Sequence, residues 1–254
     1  MSAGDLAIVL PALLAGLLVL ATHVPLGQEV LRRGIVFVDL AVAQIAALGV
    51  VIAGLAGFDA HGWQVQLAAG LAAMAGALLL TWTEKRWPEV QEAQIGVIFV
   101  LAASGGLLLL AHHPQGGEHL RDLLTGQILW VSYAQLALPA VLTALLVAAL
   151  WWRPARAGRF GFYAALALAV TLSVQLLGVY LVFASLIVPA LGVRHYQVRR
   201  RLPLAFLGGA LGYAAGLILS LLSDLPAGAL IVWCLAMIAA LTYASGPKRA
   251  INGT

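Results

Sequence analysis

The sequence predicts an all-α fold, a polytopic bundle of eight or nine transmembrane helices with the N-terminus outside and the C-terminus inside. Three observations carry that expectation. Of 254 residues, 63% are apolar and only 9% are charged, against about 25% charged in a soluble domain, too little charge to cover a water-facing surface. Uncharged runs recur near the length of about 20 helical residues that crosses a bilayer core. The 14 Lys and Arg residues fall almost wholly in short connectors between those runs, as the positive-inside rule requires. The net charge of +4 therefore reports membrane orientation, not nucleic-acid binding, which needs a basic stripe on a soluble face.

The first run, 6–26, follows a start, Met1–Leu6, without a basic residue. It is also longer than a signal core, so it is predicted to be a retained span. Runs at 35–57, 64–83, 93–111, 136–152, 203–222 and 228–245 each predict one further helix. The stretch 160–193 differs. It is uncharged throughout, yet Arg153, Arg156 and Arg159 precede it and Arg194, Arg199, Arg200 and Arg201 follow it. As one helix it would reach about 51 Å against a core of about 30 Å. Basic flanks on both sides belong on one side of the membrane, so the stretch is expected to enter and return, turning near Gly178. The return from Gly178 to Arg194 is only about 24 Å of helix, which sets the turn within the depth of the membrane. Backbone there must be buried by protein or reached by water.

With nine spans and the N-terminus outside, every Lys and Arg except Arg121 lies inside. No polar stretch is long enough for a soluble domain, so 1–254 is read as a single transmembrane domain. There is no GxxxxGK[ST] loop to bind ATP. Small residues at Gly54/Gly57, Gly70/Gly76 and Gly208/Gly212/Gly216 are expected to let helices approach closely. The single cysteine, Cys234, lies in an apolar run and forms no intrachain disulfide.

Polar chemistry is sparse. Asp39 is the ionisable residue read as lying inside a span, and an intramembrane carboxylate is a functional candidate by default. Its structural alternative is a pair with Arg32 or Arg33. Gln44 stands about 140° further round a regular helix, so the two share a cavity only if it lies between helices. The outer connector from Ala111 to His119 holds His112, His113, Glu118 and His119, donors suited to zinc and similar ions. His61 is a weaker outer candidate, and His23 and His195 are expected at the interface. Glu84, Glu89 and Glu92 surround Lys85, Arg86 and Trp87 in a cytoplasmic connector.

Five stretches, in order from Arg32 to Val232, carry a resemblance. They are Arg32-Arg33 followed by Asp39 and Gly49; Ile95-Gly96-Val97-Ile98-Phe99; Leu124-Thr-Gly126-Gln-Ile128-Leu129-Trp-Val131-Ser132; Gly178-Val-Tyr-Leu-Val-Phe-Ala-Ser-Leu-Ile-Val-Pro189-Ala190; and Asp224-Leu-Pro-Ala-Gly228-Ala-Leu-Ile-Val232. Together they resemble the metal-type ABC permeases that import zinc, manganese or iron. The resemblance implies a membrane-spanning subunit with no catalysis of its own and no permanently bound cofactor. It implies a divalent metal ion as substrate, a homodimer in the cytoplasmic membrane, a separate ATPase and an extracytoplasmic metal-binding protein. The path would take Asp39, Gln44, Gly178, Ser185 and Pro189, and the ATPase would couple at Arg153, Arg156 and Arg159. Two departures stand out. Members commonly carry a histidine four residues after the Asp, where this chain has Ala43 and then Gln44, and an amide is a poorer transition-metal ligand than imidazole. The coupling segment is shortened to Trp152–Arg159. A stand-alone secondary transporter or channel is the alternative, and would show inverted repeats and midplane polar groups. An intramembrane enzyme would need a ligand or nucleophile set within the spans, whereas the histidines lie mostly in connectors.

Overall fold

Each expected run forms one helix, and 160–193 forms two. The computed structural model describes residues 3–58, 62–110, 128–152 and 158–247, and among them there are nine α-helices and no strand. They are α1 Ala3–Arg33, α2 Val38–Leu55, α3 Trp63–Arg86, α4 Gln91–Leu110, α5 Tyr133–Trp152, α6 Gly158–Leu177, α7 Val179–Gly192, α8 Val198–Ser223 and α9 Ala227–Ala244, with short 3₁₀ turns at Pro88–Val90 and Ile128–Trp130. Seven helices are long and apolar enough to cross a membrane, while α5 and α7 offer shorter apolar lengths.

The first helix is longer than the run 6–26 that announced it. Beyond Leu26 the chain carries Gln28, Glu29, Arg32 and Arg33, and the helix continues because these polar groups satisfy one another locally. Glu29 accepts from Arg32 at 2.6 Å and from Arg33 at 2.7 Å, the i+3 and i+4 spacings at which helical side chains meet. Cations in the last turn also complement the helix dipole. Termination is by glycine: Gly34 has φ 72°, the Gly34 N–H donates to the Leu31 carbonyl, and the Ile35 N–H donates to the Val30 carbonyl. That pair of bonds is a Schellman stop, which needs the left-handed residue that glycine supplies without strain.

Contacts along α1 order the rest. Its last turn meets α3 and α6, because Glu84 binds Arg33 at 3.6 Å and Arg159 at 3.3 Å. Gly27 meets Leu186 and Ala190 of α7, while Leu20 and Gly16 meet Gly209 and Tyr213 of α8. The start of α6 and the end of α7 therefore lie at the same end of the bundle, so the chain enters along α6 and returns along α7. The reversal is made at Gly178, with φ 78° and ψ 161°, a conformation open in practice to glycine alone. The end of α9 is there too, since the Tyr196 hydroxyl donates to the Thr242 carbonyl and Arg194 to the Tyr243 hydroxyl.

Helices α1, α2, α6 and α7 are the most buried, whereas α4 and α9 present most of their side chains outward. Leu108 of α4 is 75% exposed, as befits a side chain meeting hydrocarbon. Lipid gives helices no hydrophobic reason to associate, so close packing of small residues does so. That expectation holds at Gly76 against Ile45, Gly212 against Leu235 and Gly216 against Ile231, where a Cβ would come within 3.0 Å of its neighbour. It fails at Gly54, Gly57 and Gly70, which have nothing within 4 Å; Gly57 instead supplies the turn after α2 with φ 88°.

Candidate translocation site

The Schellman turn after α1 delivers the chain into α2, so the position of Asp39 follows from the way α1 stops. Phe37 is the N-cap of α2, and its N–H donates to Glu92 Oε1 of α4 at 3.3 Å. Asp39 lies in the first turn of α2 and not further along the span as the sequence suggested. A carboxylate there is favoured by the unpaired N–H groups and positive end of the helix dipole, which accounts for a carboxylate tolerated at 1% exposure. Its Oδ1 has no hydrogen-bond partner.

The pairing of Asp39 with Arg32 or Arg33 does not occur. Both guanidinium groups are drawn to Glu29, and Arg33 also to Glu84. Arg33 lies over the Phe162 ring at 4.2 Å, a second attraction away from Asp39. Among the described residues Asp39 has no ion-pair partner. Gln44, the next polar group on α2, is also buried, at 9% exposure.

Two aromatic rings meet where α2 begins. Phe37 stacks on Phe183 of α7, with centroids 6.3 Å apart and planes 3° from parallel. Phe37 also lines an apolar cleft of about 620 Å³ between α2 and α4, walled besides by Leu40, Ala93, Gly96, Val97, Phe99, Val100 and Leu101. The stretch Ile95–Phe99, singled out in the sequence, thus forms much of one wall.

The remaining site residues separate. Gly178 makes the reversal between α6 and α7. Ser185 is fully buried and engaged, its Oγ donating to the Leu181 carbonyl at 2.6 Å and lying 2.7 Å from the Tyr213 hydroxyl. Pro189 is buried within α7, where it leaves the Ser185 carbonyl without its helical donor. Arg159 binds Glu84. His112, His113, Glu118 and His119, together with Arg153, Arg156 and His61, lie outside the described residues. Among the described residues no three His, Cys, Asp or Glu side chains come together to hold a metal ion.

His23 corrects an expectation. It was placed at the interface, yet it is wholly buried within α1, with Nδ1 3.0 Å from the Val19 carbonyl and Nε2 without a partner. The misplacement came from ending the first span at 26. The Glu29…Arg32/Arg33 spacing was the available signal that the helix runs on. Sequence reasoning also missed the Phe37–Phe183 stack, which joins residues remote in the chain and has no local signature.

The chain is similar to known proteins over most of its length. A family model described as the ABC 3 transport family matches residues 5–157 and 153–245. The chain is 27% identical over 263 residues to the manganese transport system membrane protein MntC of Halalkalibacterium halodurans, covering 94% of this chain and 88% of that protein. Its fold is similar to a chain of PsaBC from Streptococcus pneumoniae in complex with Fab, with a TM-score of 0.74 and 20% identity over 93% of this chain and 91% of that one. This multi-pass membrane protein belongs to the ABC 3 transport family of ABC transporter permeases.

Proposed function

We propose that the chain is the membrane-spanning subunit of an importer for divalent metal ions, working as a homodimer in the cytoplasmic membrane. A separate cytoplasmic ATPase drives it, and an extracytoplasmic metal-binding protein supplies the ion. The observation that carries the reading is Asp39: fully buried, with a free carboxylate oxygen, while the neighbouring arginines are engaged elsewhere. Such a group can replace part of a cation's hydration shell at the mouth of a path. Carboxylate and amide oxygens without imidazole suit manganese better than zinc, and the similar MntC is named for manganese transport, so manganese is the first ion to test. The positive-inside rule favours a cytoplasmic location for the end shared by Arg33, Arg159 and Tyr243, and the ATPase would couple there near Arg153, Arg156 and Arg159. The histidine-bearing connector then faces the binding protein.

The test is cellular uptake of radioactive manganese and zinc per assembled complex. Asp39→Asn keeps the shape and removes the charge through which oxygen ligands act, so uptake is expected to fall at least about tenfold with normal expression. Near-normal uptake in that variant overturns the ligand role.

A further inference from the structure

The first turn of α2 carries Asp39, yet it has no cap of its own. Its N-cap is Phe37, whose side chain has no oxygen to accept the unpaired N–H groups of a helix start. The chain enters through the turn at Gly34, so α1 does not run on into α2 and hold it either. We propose that Glu92 and Gln91, at the start of α4, are positioning residues for Asp39: Glu92 caps α2 from the neighbouring helix, and Gln91 anchors that cap to α3 and α6. The inference rests on the metal-import reading given above.

Glu92 Oε1 accepts from the Phe37 N–H at 3.3 Å, from a helix 55 residues away in sequence. Its Oε2 is buried without a partner, so among the described residues this is the one hydrogen bond that the carboxyl group makes. A carboxyl group at a helix start meets both the unpaired N–H and the positive end of the helix dipole. An Asp or Ser at the N-cap does the same from within its own helix. Asp39 stands two residues on, in the same turn. Whatever fixes the Phe37 backbone therefore fixes the point from which the Asp39 side chain leaves.

A cap carried by another helix positions α2 only if that helix is itself held in place. Gln91, adjacent to Glu92, supplies the hold. It is buried, and its Nε2 donates to the Leu80 carbonyl of α3 at 3.3 Å and to the Tyr163 hydroxyl of α6 at 3.1 Å. Tyr163 is itself wholly buried, edge-on to Phe162 at 5.3 Å. Two consecutive residues thus join the starts of α2 and α4 to α3 and α6, and every link is a hydrogen bond between elements that meet only in the folded chain.

The experiment uses the full chain, assembled with its partners in vesicles of phosphatidylethanolamine and phosphatidylglycerol. Hydrogen exchange of the backbone amides over 35–41 is followed by mass spectrometry, with 228–244 as control, and ATP-driven manganese uptake is measured per assembled complex. Glu92→Ala is expected to speed exchange over 35–41 about tenfold, the scale of one lost hydrogen bond to a charged group. The control is expected to stay unchanged and uptake to fall about tenfold. Glu92→Gln keeps an acceptor oxygen and is expected to restore most of both. Gln91→Ala, which leaves Glu92 in place, is expected to speed exchange in the same segment, and the double variant with Glu92→Ala to add little, because the two act as a unit. Wild-type exchange over 35–41 overturns the cap in Glu92→Ala and the anchor in Gln91→Ala. Acceleration in both segments alike overturns the proposal, since the loosening is then general. A Glu92→Gln variant no better than Glu92→Ala overturns it too, because charge and not the acceptor is then what matters. Faster exchange with normal uptake overturns the positioning of Asp39. Faster exchange rescued by Glu92→Gln, in a complex whose parent moves neither manganese nor zinc, upholds the cap and overturns the metal reading.

Discussion

Arg33 and Asp39 are six positions apart and carry opposite charge, yet they do not pair, and the reason is local. A Glu one helical turn before the arginines captures both of them, and Gly34 turns the chain before Asp39 is reached. If Asp39 served Arg33, the double change Asp39→Asn with Arg33→Gln would recover what the single change loses. The structure predicts no recovery of metal uptake in the double variant, measured per assembled complex. Glu84 shows the complementary case. One of its oxygens serves two guanidinium groups from two other helices, so Glu84→Gln removes both contacts, leaving Arg33 with Glu29 alone, while Arg159→Gln removes one and leaves Glu84 with Arg33. Partly exposed pairs contribute about 0.2–1 kcal/mol each, so Glu84→Gln is expected to lower thermal stability in detergent more than Arg159→Gln does. Equal shifts would show that the shared oxygen is not the junction. At this scale the sequence disclosed which residues were unusual, Asp39 above all, but not their partners. Partners depend on which helix ends meet, and a single chain of symbols carries that only where the spacing is local, as for Glu29 and Arg33.

Helices were the most legible objects in the sequence, because an apolar run between polar connectors has one stable form in a bilayer. Even the reversal at Gly178 was readable, since length and flanking charge forbade a single crossing. What escaped was the polar extension of α1, where hydropathy stops while hydrogen bonding continues. Small-residue pairs were legible only in part: spacing says that a helix face is small, not that a neighbour lies against it, which is why Gly54 and Gly70 face open space. Two glycines give a sharp test. At Gly178 any other residue must adopt a backbone conformation reserved for glycine, at a cost of about 1–3 kcal/mol. At Gly27 a Cβ would lie 1.9 Å from the Leu186 carbonyl oxygen, so α1 and α7 must separate. Gly27→Ala and Gly178→Ala are each expected to reduce assembled protein and lower its melting temperature. Gly70→Ala, with nothing within 4 Å, is expected to leave both unchanged.

The bundle as a whole has one basic end. Arg33, Lys85, Arg159, Arg194 and Arg201 lie at or beside helix ends that the packing of α1, α3, α6, α7, α8 and α9 brings to the same side. That side is expected in the cytoplasm, with a cysteine at Gly246 labelled only from within and one at His119 only from outside; labelling of both from one side would remove the nine-span arrangement. The chain alone is expected to hydrolyse no ATP above background and to co-purify with a nucleotide-binding subunit, as its missing phosphate loop requires. Turnover by the isolated chain, after contaminants are excluded, would contradict that division of labour.

The junction at Glu84 also bears on how the protein is made. Chains are built from the N-terminus, so Arg33 leaves the ribosome long before Glu84, and Glu84 long before Arg159. An unpaired arginine at the edge of a newly inserted first helix would be drawn toward any anionic lipid or misplaced acid nearby. Glu29, already present in the same helix, occupies it at once. When α3 arrives, Arg33 can reach Glu84 without releasing Glu29, and Arg159 completes the junction last. If assembly follows the order of synthesis, Glu29 shields Arg33 until α3 arrives, and Glu29→Gln should then slow the appearance of folded protein during synthesis more than it lowers the stability of protein already folded.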